Sequence, residues 1–350
     1  MTVKSDKSIF DMSARPTIVD VAKYAGVAVS TASMALNNHS AIKPATREKV
    51  RAAADLLRYV PNQAARSLHG HKTYSIGALH WPTLNPLHIE NSLELMHLAA
   101  QHNYNFKIFW NDIYRPETIK PFLQSIHGSV DGLILYTPSN LETQKLLVEQ
   151  LQKYHIPFVF SAYINNPAVS FVAPDLQNGA RLAMKYLLEL GHRQIATFAD
   201  GGSPVDLGIA EALAEYDLQF APACHVNKTI ATYADAYEVG RKMLLQAPEA
   251  TAVFARSDFM ALALIKAAWD LGRTPGKDLD IVSMDNAEQS AYYVPALTTV
   301  DFDKQKKNQL MLDILLQQIN EESTDPQQVF IQPQLIRRES SGNLIRSNCK

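Results

Sequence analysis

The residues able to carry out catalysis are scattered through this sequence. Gly201, Gly202 and Ser203 form a turn signature, not the Gly-x-Ser-x-Gly elbow that presents a nucleophilic serine. No glycine-rich phosphate or dinucleotide loop occurs. His69 and His71 lack companions at zinc spacing. Cys224 and Cys349 are too few for a zinc module or a disulfide framework. Asp175 and Asp285 are carboxylates that nothing in the sequence brings together as an acid/base pair. These residues predict no catalysis, no metal and no cofactor. The chemistry that remains is charge. Residues 1–72 hold 11 Lys+Arg against 5 Asp+Glu, and the other residues hold 22 against 30. A basic piece on an acidic body predicts a polyanion partner for the first piece, although a solvated charged surface reads the same way.

Composition narrows the rest. The 350 residues are 47% hydrophobic and 19% charged, which is globular and long enough for more than one domain. No uncharged apolar run approaches the ~18 residues of a membrane span. Residues 1–13 carry Lys4, Asp6, Lys7 and Asp11 without an apolar stretch, so no signal peptide is expected and the cytoplasm is the expected location.

The basic segment must present its charge on defined elements. Thr17 is a helix N-cap with Asp20 in the first turn, and Ile18, Val21, Ala22 and Ala25 share one face. Gly26 ends that helix. A second short helix lies within 28–36, with Ala32, Ala35 and Leu36 inward. Pro44 opens a third over 44–57, with Val50, Ala53, Ala54 and Leu57 as its stripe. Two helices joined by a tight turn suit the DNA major groove, with Val29, Ser30, Met34 and Asn37 at base edges and Arg47, Lys49 and Arg51 on phosphates. A three-helix bundle with no nucleic-acid role has the same pattern.

The run TIVDVAKYAGVAVSTASMALNN from Thr17, followed by IKPATREKVRAAADLLRYVPNQAARSL from Ile42, resembles the DNA-binding headpiece of the lactose/galactose-repressor family. The resemblance implies that Val29, Ser30 and Met34 read bases and that Thr17 and Asn37 touch the backbone. It also implies a DNA-facing set that includes Thr31, Arg47, Asn62 and Ala65. Leu68 falls where the family's paired hinge helices wedge a leucine into the minor groove. The chain departs from the family at Ala28, Met34 and Lys43. Met34 replaces an arginine that bonds guanine twice, so a different base pair is expected opposite it.

From Tyr74 onward, apolar strand-like runs at 76–79, 106–110, 132–136, 158–160, 195–198, 252–255 and 281–284 alternate with helical patterns. That alternation predicts parallel α/β sheets in two series, with a ligand cleft where the two lobes face. The body is similar to the family's effector domain, itself like periplasmic sugar-binding proteins, through Asp131-Gly132-Leu133-Ile134, Leu190-Gly191-His192-Arg193, Ser257-Asp258-Phe259-Met260 and Val282-Ser283-Met284-Asp285-Asn286. The fold class expected is therefore α/β: a small all-α helix-turn-helix headpiece plus a two-lobed, periplasmic-binding-protein-like effector domain. The implied domains are a tail (1–14), the headpiece (15–60), a hinge (61–73), an effector and dimerisation domain (74–340) and a second tail (341–350). Within the large domain, lobe 1 takes 74–174 and 302–331, and lobe 2 takes 175–301 and 332–340.

The resemblance assigns effector contacts to Trp81, Tyr233, Ser257 and Asp285, with Asp258 capping the helix after it. It sets Val205 where the family carries a ligand-holding arginine, which predicts a less anionic, more apolar or aromatic effector. The implied function is a homodimeric, sequence-specific DNA-binding regulator. It would be a repressor of a carbohydrate or related catabolic operon, controlled by a sugar or related metabolite. A regulator answering to a protein partner and a solute-binding protein are the other readings.

Overall fold

Helix α1 (Ile18–Ala25) begins where Thr17 and Asp20 cap each other. The Thr17 N–H donates to Asp20 Oδ2 at 2.8 Å, and the Asp20 N–H donates back to Thr17 Oγ1 at 3.4 Å. Gly26, in the left-handed conformation at φ 59°, ends the helix. Helices α2 (Val29–Leu36) and α3 (Pro44–Leu56) follow. The core between the three is built from Val21, Ala22, Ala25, Ala32, Ala35, Val50, Ala53 and Ala54. Mostly alanines, they let short helices approach closely. This computed structural model describes residues 16–36, 39–59, 72–81, 85–112, 115–136, 141–199, 204–219, 225–227, 230, 232–323 and 325–342. The chain divides into two compact units between His71 and Lys72.

The second unit contains two six-stranded sheets. The first runs β11-β5-β4-β3-β1-β2, with β1 (Ser75–His80), β2 (Asn105–Trp110), β3 (Gly132–Leu135), β4 (Phe158–Phe160), β5 (Phe171–Pro174) and β11 (Gln328–Ile331), all parallel. The second runs β12-β10-β9-β8-β6-β7, with β6 (Ile195–Ala199), β7 (His225–Asn227), β8 (Ala252–Ala255), β9 (Asp280–Met284), β10 (Thr298–Asp301) and β12 (Gln334–Ile336). Only β12, at an edge, is antiparallel to its neighbour. Strands β1, β3, β8 and β9 are buried along their whole length, as expected when helices cover both faces.

On the first sheet, α4 (Pro86–Gln101) and α11 (Lys304–Ile319) cover one face. Helices α5 (Pro116–Ile126) and α6 (Leu141–Lys153) cover the other through Ile119, Leu123, Leu147 and Leu151. The second sheet lies between α7 (Leu176–Glu189) with α8 (Pro204–Ala214), and α9 (Tyr233–Gln246) with α10 (Asp258–Asp270). The chain passes between the sheets after Pro174, after Asp301 and between Ile331 and Gln334. Among the described residues no helix is long and apolar enough to cross a membrane.

Helices α7 and α8 meet at Gly208, where an added Cβ would lie 2.0 Å from the Gln177 carbonyl oxygen. Alanine there gains about 1 kcal/mol of helix propensity but forces two backbones apart, at about 3 kcal/mol. We expect Gly208→Ala to lower stability by about 2 kcal/mol, visible as a lower thermal midpoint; an unchanged or higher midpoint would show that this helix contact yields freely.

Candidate functional site

Two surfaces have the makings of a site. The first is the outer face of α2. Val29 and Ser30 are exposed, Thr31 and Met34 half-buried, and Ala32 and Ala35 point into the core. The side chains assigned to base reading therefore lie on the face away from the core. Thr17, exposed, serves as the cap of α1. Lys49 is exposed on α3 and can meet a phosphate. Arg47 has a structural role of its own. Its Nη2 donates to the carbonyl oxygens of His39 (3.1 Å) and Ile42 (3.2 Å), so it fixes the loop between α2 and α3. Lys43 caps α3 without a side-chain hydrogen bond. Asn37, Asn62, Ala65 and Leu68 lie outside the described residues.

The second surface is the cleft between the sheets. Because β1, β2, β3 and β4 are parallel, the residues at or just past their carboxyl ends lie along one edge: His80, Trp81, Trp110, Tyr136 and Ser161. The same geometry in the second sheet collects Arg256 after β8 and Asp285 after β9. Lys307, on the first turn of α11, is buried beneath the first sheet's edge. Its Nζ donates to Ser161 Oγ at 3.2 Å and sits 5.7 Å from the Tyr136 ring centre.

Rings pave the first sheet's side. His80 stacks on Tyr136 with centroids 4.2 Å apart, and His88 meets Trp81 edge-on at 4.8 Å. Burial lowers the His80 pKa to about 4, with Lys307 adding to the effect. Burial, then His80, Lys307 and Arg256, lower that of His88 to about 3. Both rings are neutral at pH 7. The Ser92 hydroxyl donates to the His88 carbonyl at 2.9 Å and lies 2.9 Å from His80 Nε2. With the serine proton committed, His80 Nε2 must be the donor, which leaves Nδ1 as an acceptor. Among the described residues that Nδ1, fully buried, has no partner, nor have His88 Nδ1, Asn91 Oδ1 and Asn308 Oδ1.

The second sheet's side is held rigid by Asp258. This fully buried carboxylate accepts hydrogen bonds from Ser283 Oγ (2.5 Å), Thr299 Oγ1 (2.5 Å), Ser290 Oγ (2.6 Å) and the Ala287 N–H (2.8 Å). It thereby ties the start of α10 to β9, β10 and the 3-10 helix Glu288–Ala291. Asp285 and Asn286 both have positive φ, 123° and 51°, a costly conformation that the surrounding bonds over-determine. Burial pushes the Asp285 carboxyl up to about 8, reinforced by the Asp258 charge and opposed by Arg256, a hydrogen bond from Asn85 and Lys307. Burial brings Lys307 down to about 8, against the pull of Asp285 and Glu94.

Trp81 and Asp285 thus stand at the cleft. Tyr233 lies at its margin, its ring on Phe259 and its Oη accepting from Gln289 Nε2 at 3.0 Å. Ser257 requires a correction: buried, it is the N-cap of α10, its Oγ accepting from the Met260 N–H at 3.3 Å. Asp258, expected to cap, forms the buried knot instead. Val205, in the first turn of α8, is wholly buried in the core and offers no surface to a ligand. The cleft nevertheless has cations, Arg256 and Lys307. Sequence reasoning missed these two along with His80, His88, Tyr136 and Asn85. For Tyr136 and Arg256 the signal available was position, just past a parallel strand; the others carry no such signal.

Residues 17–62 match the family model described as bacterial regulatory proteins, lacI family, and residues 184–341 match a periplasmic binding protein-like domain. The HTH-type transcriptional repressor PurR of Edwardsiella ictaluri is 30% identical, covering 93% of this chain and 96% of its own. The HTH-type transcriptional regulator MalR of Clostridium butyricum is 29% identical over 93% and 99%. The solved complex of the transcriptional regulator CelR with cellobiose is 27% identical, with a TM-score of 0.69 over 93% of this chain and all of that one.

The neutral imidazoles make the cleft acid-sensitive. A histidine whose folded pKa is depressed contributes stability that is complete above its unfolded pKa near 6.5 and is lost as pH falls toward the folded value. For His80, fully buried, this amounts to roughly 3 kcal/mol. We expect the thermal midpoint to fall between pH 6.5 and about 4, and to fall less steeply in His80→Asn; equal slopes in the two proteins would refute the assignment.

Proposed function

Since the chain belongs to the lacI family of bacterial regulatory proteins, we propose that it is a cytoplasmic, homodimeric repressor of carbohydrate or related catabolic genes, with operator DNA held by the headpiece and a small molecule held between the lobes. It is a sequence-specific DNA-binding transcriptional regulator. The observation that carries the small-molecule part is the cleft: it sits at the carboxyl ends of two parallel sheets, where α/β folds bind ligands, and its wall holds buried polar atoms with no partner among the described residues. Neutral imidazoles, a phenol and two tryptophans suit a molecule with hydroxyls and at least one flat or apolar face. The relative CelR binds cellobiose, a molecule of that kind.

The dimer reading rests on α4. Its inner face carries Asn91, Ser92 and Leu95 into the unit, while Ile89, Leu93 and Met96 form an exposed stripe near exposed Ile108 of β2. Two copies sharing this face would match a near-palindromic operator by symmetry. The proposed domain limits are 15–60 for the headpiece, 61–73 for the hinge and 74–340 for the two lobes, a reading that the division into two units between His71 and Lys72 supports.

Val29, Ser30 and Met34 are the base-reading set, with Thr31 also facing DNA. Methionine offers thymine a methyl contact and guanine nothing. Sites selected from a random DNA library are therefore expected to lack guanine opposite Met34. Met34→Arg should gain guanine preference there by about 1–3 kcal/mol, read by competition binding at fixed salt. Unchanged preference in the variant would remove Met34 from the base-reading surface.

A further inference from the structure

We propose that Asp131 is a positioning residue for operator binding: its carboxylate clamps Thr73 and Tyr74, where the chain from the headpiece enters the second unit, and so fixes the point from which each headpiece reaches DNA. Asp131 stands just before β3. Its Oδ1 accepts from the Thr73 N–H at 2.7 Å and from Thr73 Oγ1 at 2.8 Å, and its Oδ2 accepts from the Tyr74 N–H at 2.8 Å. Its own N–H donates to the Ser75 carbonyl at 2.7 Å. One residue thus holds three in succession. Two of them precede β1, so the sheet ladder does not require them.

The grip imposes a strained turn. Tyr74 has φ 48°, a left-handed conformation that residues other than glycine seldom adopt. Its carbonyl accepts the Asn105 N–H at 2.8 Å, and its ring lies 5.8 Å from that of Tyr104. Bonds on both sides hold the turn in place.

The clamp rests on a helix that also reaches the cleft. Gly132, next to Asp131, leaves room for α11: an added Cβ would lie 2.8 Å from Leu315 Cδ1 and 3.0 Å from Ile319 Cδ1. At the end of α11, the C-cap residue Asn320 accepts the Lys72 ammonium through Oδ1. The opposite end carries Lys304, bound to Glu90, and Lys307, which donates to Ser161. With 16 residues, α11 is about 24 Å long, so the entry point and one wall of the cleft lie at two ends of one helix. The two units divide between His71 and Lys72, and the bonded residues begin at that boundary.

The consequence concerns half-site spacing. A dimer on two half-sites gains affinity only if both headpieces start from points at a fixed separation. A loosened start weakens the full site, tolerates a wrong spacing and leaves a single half-site unaffected. This inference rests on the reading of the chain as a dimeric regulator, but its first test needs no DNA.

That test is hydrogen exchange on the full chain. Asp131→Asn removes the charge and turns one acceptor into a donor that faces other donors, while Thr73→Val removes the Oγ1 bond alone. In Asp131→Asn the amides of residues 73 and 74 are expected to exchange about tenfold faster, with β1 and β3 unchanged. Affinity at fixed salt is then compared for the selected operator, the same site with one base pair inserted at its centre, and a single half-site. Asp131→Asn is expected to lose about tenfold on the full site and nothing on the half-site, and to discriminate less against the inserted base pair. Thr73→Val should fall between it and wild type. Unaltered exchange, equal losses on full and half sites, or unaltered spacing discrimination once the 73–74 amides have loosened would each overturn the proposal. A wild type that binds the full site no better than the half-site would overturn the dimer reading instead, while exchange still decides the clamp.

Discussion

A single buried carboxylate organises the regulatory unit. Asp258 is removed from water, which on its own opposes ionisation, yet four donors converge on its two oxygens. A buried charge with its partners in place is tolerable; one stripped of a partner costs several kcal/mol. The four donors come from β9, β10 and the segment leading to and through the 3-10 helix, so these elements move with Asp258 or not at all. Asp285 emerges from that knot with a positive φ that nothing local favours. The position of the acid at the cleft is thus fixed from below, independently of any ligand.

The two lobes contribute differently. The second offers a rigid acid, Asp285, with Arg256 nearby. The first offers rings, neutral imidazoles and a lysine beneath them. His80 and Lys307 are both buried, and the lysine's charge adds to the burial that keeps His80 neutral. The result is a wall that hydrogen-bonds without adding to the charge of Lys307. Such a wall recognises hydroxyls by direction, while the tryptophans limit shape. Across the gap between the lobes, Glu90 Oε1 on α4 accepts the Glu288 N–H after β9 at 3.1 Å.

Much of this was legible beforehand. The headpiece could be read nearly to the residue because its signals are local: Thr17 and Asp20, Gly26 and Pro44 act within one turn of themselves. The α/β alternation followed from short apolar runs, although three-residue strands such as β7 and β12 carry too little pattern to find. Asp285 and Trp81 were legible because each follows a strand. Val205, Ser257 and Arg47 show structural roles that the sequence did not reveal, for one shared reason. A position in a family frame does not reveal whether a side chain is used by its own fold, and these three pack into the core, cap a helix and brace a loop. His80, His88, Lys307 and Asn85 were invisible because their roles arise from partners far away in the chain.

The central claim is that a small molecule in this cleft changes the protein's grip on DNA. The most direct measurement is the affinity of the full chain for its selected operator, at fixed salt, with and without the protein-free small-molecule fraction of a cell extract, in wild type and Asp285→Asn. A severalfold change is expected for wild type, much reduced in Asp285→Asn, with both proteins binding operator equally in buffer. No change in wild type, or the same change in both proteins, would contradict it.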